Sequence, residues 1–302
     1  MIKYLLHLLK FIKSLLLRPK KTICWIKDDY KKDVQSKKFS SKHKLVWCAG
    51  LPKSGTTLIE EIFDNLPYVR QNISFNRIFY TGKLDHDHGI SNEMFKHSPK
   101  DRFTFLKTHT HYEKKYEEIA VKNNLRIIIS LRDLRDMLIS RYYHILADKN
   151  HWLHNKIKDL NFTDGFIISL KVKETPDAPE PLNYYYFWIL DWLKVSREKN
   201  FLVLWYEDYK NDPIKYINRI LHYTNFEDFS ATDIEKNIIV NRKKNISLEE
   251  NLKIYGRQRK TLRKGKVGEW KDLFNKKIID YFNSNIPGSM EKIQYKNDLK
   301  NN

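Results

Sequence analysis

The sequence predicts an α/β fold of three layers, with a central parallel sheet flanked by helices. Three observations point there. Short apolar runs alternate with stretches of helical periodicity along most of the chain, the pattern of βαβ units. Residues Arg126 to Leu131 read RIIISL, near-continuously apolar, as strands buried on both faces are. A strand runs into a Gly/Ser/Thr loop that opens a helix, over residues 50–58. The 302 residues are enough for one large core.

The elements follow in order. Residues 4–17 read YLLHLLKFIKSLLL. The stretch is shorter than a bilayer span and carries Lys10 and Lys13. It lacks a small-residue cleavage site. It reads as a basic amphipathic helix, which lies on a membrane surface, caps the domain or serves as a weak signal anchor. Residues 18–43 are a polar, basic connector. The expected organisation is therefore an N-terminal helix and connector over 1–43 and a single domain over 44–302. The core opens with a strand at 44–49, a turn from Gly50 to Thr57, and a helix from Leu58 to Leu66 that Pro67 stops. The stretch 69–100 is loop-rich and suited to acceptor contacts. A second strand is expected at 103–106, a helix at 112–123, the third strand at 126–131 and a helix from Arg135 to about Leu146. Residues 147–181 are mixed, with a break marked by Pro176, Pro179 and Pro181. An aromatic-rich helix at 184–197, a strand at 201–205 and a helix opened by Asp212-Pro213 follow. The stretch 256–271 is basic and holds two of its three glycines inside RKGKVG.

The net charge is +19, from 56 Lys and Arg against 37 Asp and Glu. Part of that excess suits an anionic cofactor or acceptor. A nucleic-acid-binding module would need a basic stripe interleaved with stacking aromatics, whereas the motif residues here fall at strand ends. Nucleic acid is not the expected partner. The two cysteines, Cys24 and Cys48, form no CxxC and no zinc spacing, and Cys48 lies in an apolar strand, a core position. No metal is expected. The local run Asp85-His86-Asp87-His88 is the nearest thing to a metal-ligand cluster.

Gly50-Leu51-Pro52-Lys53-Ser54-Gly55-Thr56-Thr57 has the chemistry of a phosphate cradle. Gly55 allows close approach of the backbone to an anion. The first helical amides point at phosphate oxygens. Lys53 adds charge, and Thr56 and Thr57 add hydroxyls. The fold is thus P-loop-like, but the loop is not a Walker A motif, whose Lys follows the last Gly. Here Lys53 precedes Gly55 by two positions. That counts against the alternative of a P-loop kinase or NTPase.

The loop resembles that of the sulfotransferases, PKSGTT, and further motifs agree in order. Lys107-Thr108-His109 resembles the family's KTH. Arg132 and Ser140, eight positions apart in RDLRDMLIS, resemble its 3′-phosphate segment. Tyr206-Glu207-Asp208 resembles YED. Arg263-Lys264-Gly265 and Gly268-Glu269-Trp270-Lys271 resemble the closing RKG and GDWK. The likeness covers about three quarters of the chain and is nearest to the cytosolic type. It implies 3′-phosphoadenosine-5′-phosphosulfate (PAPS) as co-substrate, without a metal. It assigns cofactor binding to Lys53, Ser54, Gly55, Thr56, Thr57, Leu58, Arg132, Ser140, Tyr206, Arg263, Lys264 and Gly265. Leu58 stands where the family often has the Trp that stacks on adenine.

The resemblance further implies in-line transfer of a sulfuryl group to a hydroxyl or amine. His109 takes the acceptor's proton, since histidine's ordinary pKa lies near neutrality. Lys53 stabilises the departing oxygen, Lys107 neutralises sulfuryl oxygens, and Ser140 binds the 3′-phosphate and restrains Lys53. The expected acceptor is a small-molecule, lipid or sugar compound, and the expected location cytoplasmic, with peripheral membrane contact through residues 4–17. The aromatic stretches at 74–80, 142–151 and 184–188 are candidate acceptor walls or core. The family's dimer motif KxxxTVxxxE falls at Lys271 to Asp280, where Asn275 and Lys276 replace the TV pair. That dimer is not expected.

Overall fold

The computed structural model describes residues 45–66, 69–71, 90, 103–199, 201–244, 264–286, 288 and 290–295. The expected N-terminal helix and connector, the acceptor stretch 69–100 apart from Val69–Gln71 and Ile90, the Asp85–His88 run and Arg263 lie outside these residues.

In chain order the elements are β1 (Leu45–Gly50), α1 (Thr56–Asp64), β2 (Val69–Gln71), β3 (Phe103–Thr108), α2 (Lys114–Lys122), β4 (Arg126–Leu131) and α3 (Leu134–Ala147). There follow α4 (His154–Ile157), α5 (Phe162–Lys171), α6 (Pro181–Lys199), β5 (Leu202–Trp205), α7 (Tyr206–Asn211), α8 (Pro213–Tyr223) and α9 (Ala231–Lys244). The described chain closes with α10 (Trp270–Leu273), α11 (Lys276–Asn285) and a 3₁₀ turn at Met290–Lys292. The strands form one sheet in the order β2-β3-β1-β4-β5. β1 runs parallel to β3, with Leu45 opposite Thr104 and Ala49 opposite Thr108, and β2 runs parallel to β3. This is the three-layer α/β architecture with a central parallel sheet. Burial explains the order: β1 and β4 are buried from their second residue onward, as interior strands must be, while β5 is half-buried at the edge.

The expected elements differ mainly at their limits, while β2, in the stretch expected to be loop, and α4, α5, α7, α9, α10 and α11 were not foreseen. β3 runs two residues beyond the expected end, so Lys107 and Thr108 are strand residues. The expected break separates α5 from α6 over residues 172–180, and Pro181 at its end is the first residue of α6, where its missing N–H costs no helical bond. The mixed stretch at 147–181 contains α4 and α5. Pro213 opens α8 as expected.

The chain divides into two compact units, each with its own core. The first comprises Met1–Gly50, Thr56–Ile129 and Ile214–Ile238. Its core is built on Trp47, Ile59, Ile62, Phe63 and Ile128, all fully buried. Phe63 stacks on Phe105 at 4.6 Å, and the Trp47 indole donates to Thr108 Oγ1 at 2.9 Å. The second comprises Leu51–Gly55, Ser130–Pro213 and Ile239–Asn302. Its centre is Phe166 of α5, whose ring lies 5.9 Å from Tyr142, 5.4 Å from Phe162 and Phe274, and 6.5 Å from Phe282. In the aromatic run of α6, Tyr186, Trp188 and Trp192 are buried, so these positions are core.

Candidate active site

The loop Leu51–Gly55 leaves the carboxyl end of β1, whose sheet neighbours are β3 and β4. In open α/β sheets, ligands bind beyond the carboxyl ends of strands where the strand order turns. Ser54 knots the loop. It is fully buried, and its hydroxyl lies 2.6 Å from the Leu51 carbonyl and 2.9 Å from that of Ser130. Ser130 donates back to Ser54 O at 3.1 Å, and Leu51 N donates to Ser130 O at 2.9 Å. A loop so cross-linked holds its amides in one direction, which favours anion binding. Two residues adopt left-handed backbone, Lys53 at φ 64° and Gly55 at φ 91°. A Cβ on Gly55 would meet the Tyr206 ring at 2.8 Å. Glycine is therefore demanded twice, by its φ and by that ring.

Arg132 follows β4 and is 7% exposed. Its Nη1 donates to Lys53 O at 3.4 Å and its Nη2 to Lys266 O at 2.9 Å, and its guanidinium stands 4.9 Å over the Tyr206 ring. Among the described residues its buried Nε has no hydrogen-bond partner. A buried donor left open on a cation is the form an anion site takes. Burial, then the charge of Arg132, holds the Lys53 ammonium below its usual range. The Tyr206 hydroxyl reaches Gly265 O at 3.4 Å. Lys264 is exposed and pairs with Glu269 at 3.4 Å.

The structure thus joins Lys53, Ser54, Gly55, Arg132, Tyr206 and Gly265 by direct contacts. Thr56 and Thr57 open α1, the former buried and the latter half-buried, and Leu58 is 1% exposed. Ser140 is half-buried on α3.

Lys107 and His109 belong to the first unit. Lys107 Nζ forms a 2.5 Å ion pair with Glu60, a buried carboxylate on α1. His109 Nδ1 lies 2.6 Å from Gly50 O. A carbonyl only accepts, so Nδ1 carries the hydrogen and the neutral ring's lone pair is on Nε2. Thr110 donates to Thr108 Oγ1 at 2.8 Å, which helps hold the strand end that carries His109. Cys48 is a core thiol that burial pushes up to about 12.

Sequence reasoning missed four contributors. Ser130 ends β4, and nothing in RIIISL marks its hydroxyl as the partner of Ser54. Glu60 was detectable: it shares the buried side of α1 with Thr56, Ile59 and Phe63, and a carboxylate on an apolar stripe needs a cation. Glu207 is 1% exposed and accepts from Asp133 N at 3.0 Å. Asp136 stands four residues before Ser140 on α3, the helical spacing that puts the two on one face, and four residues after Arg132, which precedes the helix.

A knotted loop with a half-buried Lys53 and a buried Arg132 at the carboxyl end of a central parallel strand places the protein among α/β enzymes that bind nucleotide phosphates. Within that class, the chain belongs to the sulfotransferase family: the Sulfotransferase domain matches residues 43–294. It is a PAPS-dependent sulfotransferase. It is 26% identical over 271 residues to flavonol 3-sulfotransferase of Flaveria bidentis, covering 78% of each chain. It is 25% identical over 286 residues to sulfotransferase 1E1 of Rattus norvegicus, covering 87% of this chain and 88% of that one. The fold matches that of mouse sulfotransferase SULT7A1, solved with PAP, at a TM-score of 0.60 and 16% identity, over 88% of this chain and 91% of the other. No helix among the described residues is long and apolar enough to cross a membrane. Among them no group of His, Cys, Asp or Glu is arranged to hold a metal ion.

Proposed function

We propose that the protein transfers a sulfuryl group from PAPS to a hydroxyl or amine of a small or extended acceptor by in-line displacement. The observation that carries this reading is the buried Nε of Arg132, unpartnered among the described residues, beside the Lys53 loop, which fits a phosphorylated donor. When bound, PAPS supplies the activated sulfuryl group. The chain's residues bind it, orient it and move one proton.

In this reading the amides and hydroxyls of Ser54, Thr56 and Thr57 hold the 5′-phosphosulfate. Arg132, Ser140, Arg263, Lys264 and Gly265 hold the 3′-phosphate, and Leu58 and Tyr206 serve the nucleoside end. Lys53, an ammonium already disfavoured by burial and by Arg132, gains most when negative charge develops on the departing oxygen. Lys107 neutralises sulfuryl oxygens, and its pairing with Glu60 fixes its position. His109 receives the acceptor's proton at Nε2, the basic nitrogen of the tautomer that the Gly50 carbonyl selects.

The acceptor is a phenol, alcohol, sugar or glycolipid rather than a folded protein. Flavonol 3-sulfotransferase, similar over 78% of the chain, is named for such a small hydroxyl compound. A cytoplasmic location is part of the same reading. Incubation with radiolabelled PAPS and a panel of phenols, aliphatic alcohols, glycolipids and polysaccharides tests it. Label on at least one small hydroxyl compound is expected. Label only on polysaccharide or on protein tyrosine would overturn the acceptor assignment.

A further inference from the structure

Asp136 has no part in the chemistry above, yet it lies on α3 between Arg132 and Ser140, four residues from each. It is 1% exposed. Each of its carboxylate oxygens receives one backbone N–H from the closing segment, Oδ2 from Gly268 at 2.6 Å and Oδ1 from Trp270 at 3.0 Å. Gly268 has φ +74°, a left-handed turn that brings two amides so close in sequence to one carboxylate. Hydrogen bonds to an ionised acceptor are about twice as strong as neutral ones, and both acceptor atoms are engaged.

Other contacts bind the same segment at the same place. Arg132 Nη2 donates to Lys266 O at 2.9 Å, and Tyr206 reaches Gly265 O. The Arg135 guanidinium stacks 3.6 Å over the Trp270 ring and is itself gripped by Asp133 at 2.8 and 2.5 Å. Residues 264–270 are thus strapped to the start of α3, and Asp136 supplies two of the charge-assisted bonds of the strap, Arg132 a third. A bare carboxylate would oppose a phosphate nearby. This one is turned to the strap's amides.

We propose that Asp136 is a positioning residue for the donor's 3′-phosphate: it holds the segment bearing Lys264 and Gly265 beside Arg132. The inference rests on the PAPS reading above. It goes beyond that reading because it assigns part of the affinity for the 3′-phosphate to a residue of like charge that does not touch it.

The test is calorimetric titration of the full chain with adenosine 3′,5′-bisphosphate and, separately, with adenosine 5′-monophosphate. Wild type should prefer the bisphosphate. Asp136→Asn keeps the shape but turns an amide N–H towards one of the two backbone donors. It should weaken bisphosphate binding roughly 10- to 100-fold, with monophosphate binding within about twofold of wild type. An equal loss for both nucleotides, or no loss for either, would overturn the positioning role. Equal binding of both nucleotides by wild type would overturn the donor reading itself. Amide hydrogen exchange on nucleotide-free wild type gives a second measurement, independent of whether the variant folds. Gly268 and Trp270 should exchange slowly, and exchange at open-loop rates would overturn the strap.

Discussion

Gly55 shows how one residue is constrained from two sides. The PKSGTT pattern identifies it as a loop glycine, and its φ of 91° agrees. The second constraint, the Tyr206 ring 2.8 Å from where a Cβ would stand, comes from 151 positions away in the chain and has no local signature. Gly55→Ala should therefore weaken binding of adenosine 3′,5′-bisphosphate and lower the melting temperature together. A left-handed alanine costs about 1–2 kcal/mol before the clash is counted. Unchanged affinity in calorimetry would show that the loop tolerates a side chain there. Lys53 differs in kind. Its assigned contact strengthens in the transition state, so Lys53→Ala should lower kcat by about 100-fold and change nucleotide affinity only a few-fold. Steady-state kinetics with radiolabelled PAPS separate the two effects. Lys107 was legible as the end of a strand and as a family match. Its buried partner Glu60 was legible only to a reader who asked why a carboxylate sits on the apolar side of α1.

Among the elements, the interior strands were the most readable. RIIISL at β4 was delimited to the residue because its apolar run is continuous and has no helical period. α4 and α5 were not seen. α4 is one turn long, and α5 has Gly165 in its interior and follows a polar, aromatic stretch. Packing decides α5. Its Phe166 is fully buried and meets rings from α3, α11 and the Phe274 turn. Phe166→Ala should cost roughly 3–5 kcal/mol of stability, measured by chemical denaturation. A loss under about 1 kcal/mol would mean that the cluster collapses around the gap. The substituted dimer motif is also explained by helix packing. Asn275 caps α11, accepting from Ile278 N at 3.1 Å, and its amide donates to Thr163 at 2.7 Å. The position is committed to a contact within the chain.

Across the whole molecule, buried carboxylates link stability to pH. Burial pushes the Glu207 carboxyl up to about 7, against the lowering effects of the Asp133 amide, its own amide and Arg132. The folded chain therefore keeps a proton there that the unfolded chain releases near 4.5. Folding stability should fall as pH rises from about 4.5 to 7, by an amount on the order of 3 kcal/mol at most, and then level off. Glu207→Gln removes the titration, so its stability relative to wild type should improve between pH 5 and pH 8. Thermal melts of both proteins at the two pH values check the sign, and a relative decline would contradict it. The YED motif was legible as a family match, but the burial of its Glu was not, because that burial depends on the start of α3 lying over it. The proposed chemistry rests on His109 as the base and on PAPS as the donor, and one comparison bears on both. It is the transfer rate from radiolabelled PAPS to the best acceptor in the panel, at saturation, for wild type and His109→Ala. Wild type should transfer label, and the variant should lose about 10²- to 10⁴-fold in rate while its affinity for adenosine 3′,5′-bisphosphate is retained. Transfer by His109→Ala at the wild-type rate would contradict His109 as the base.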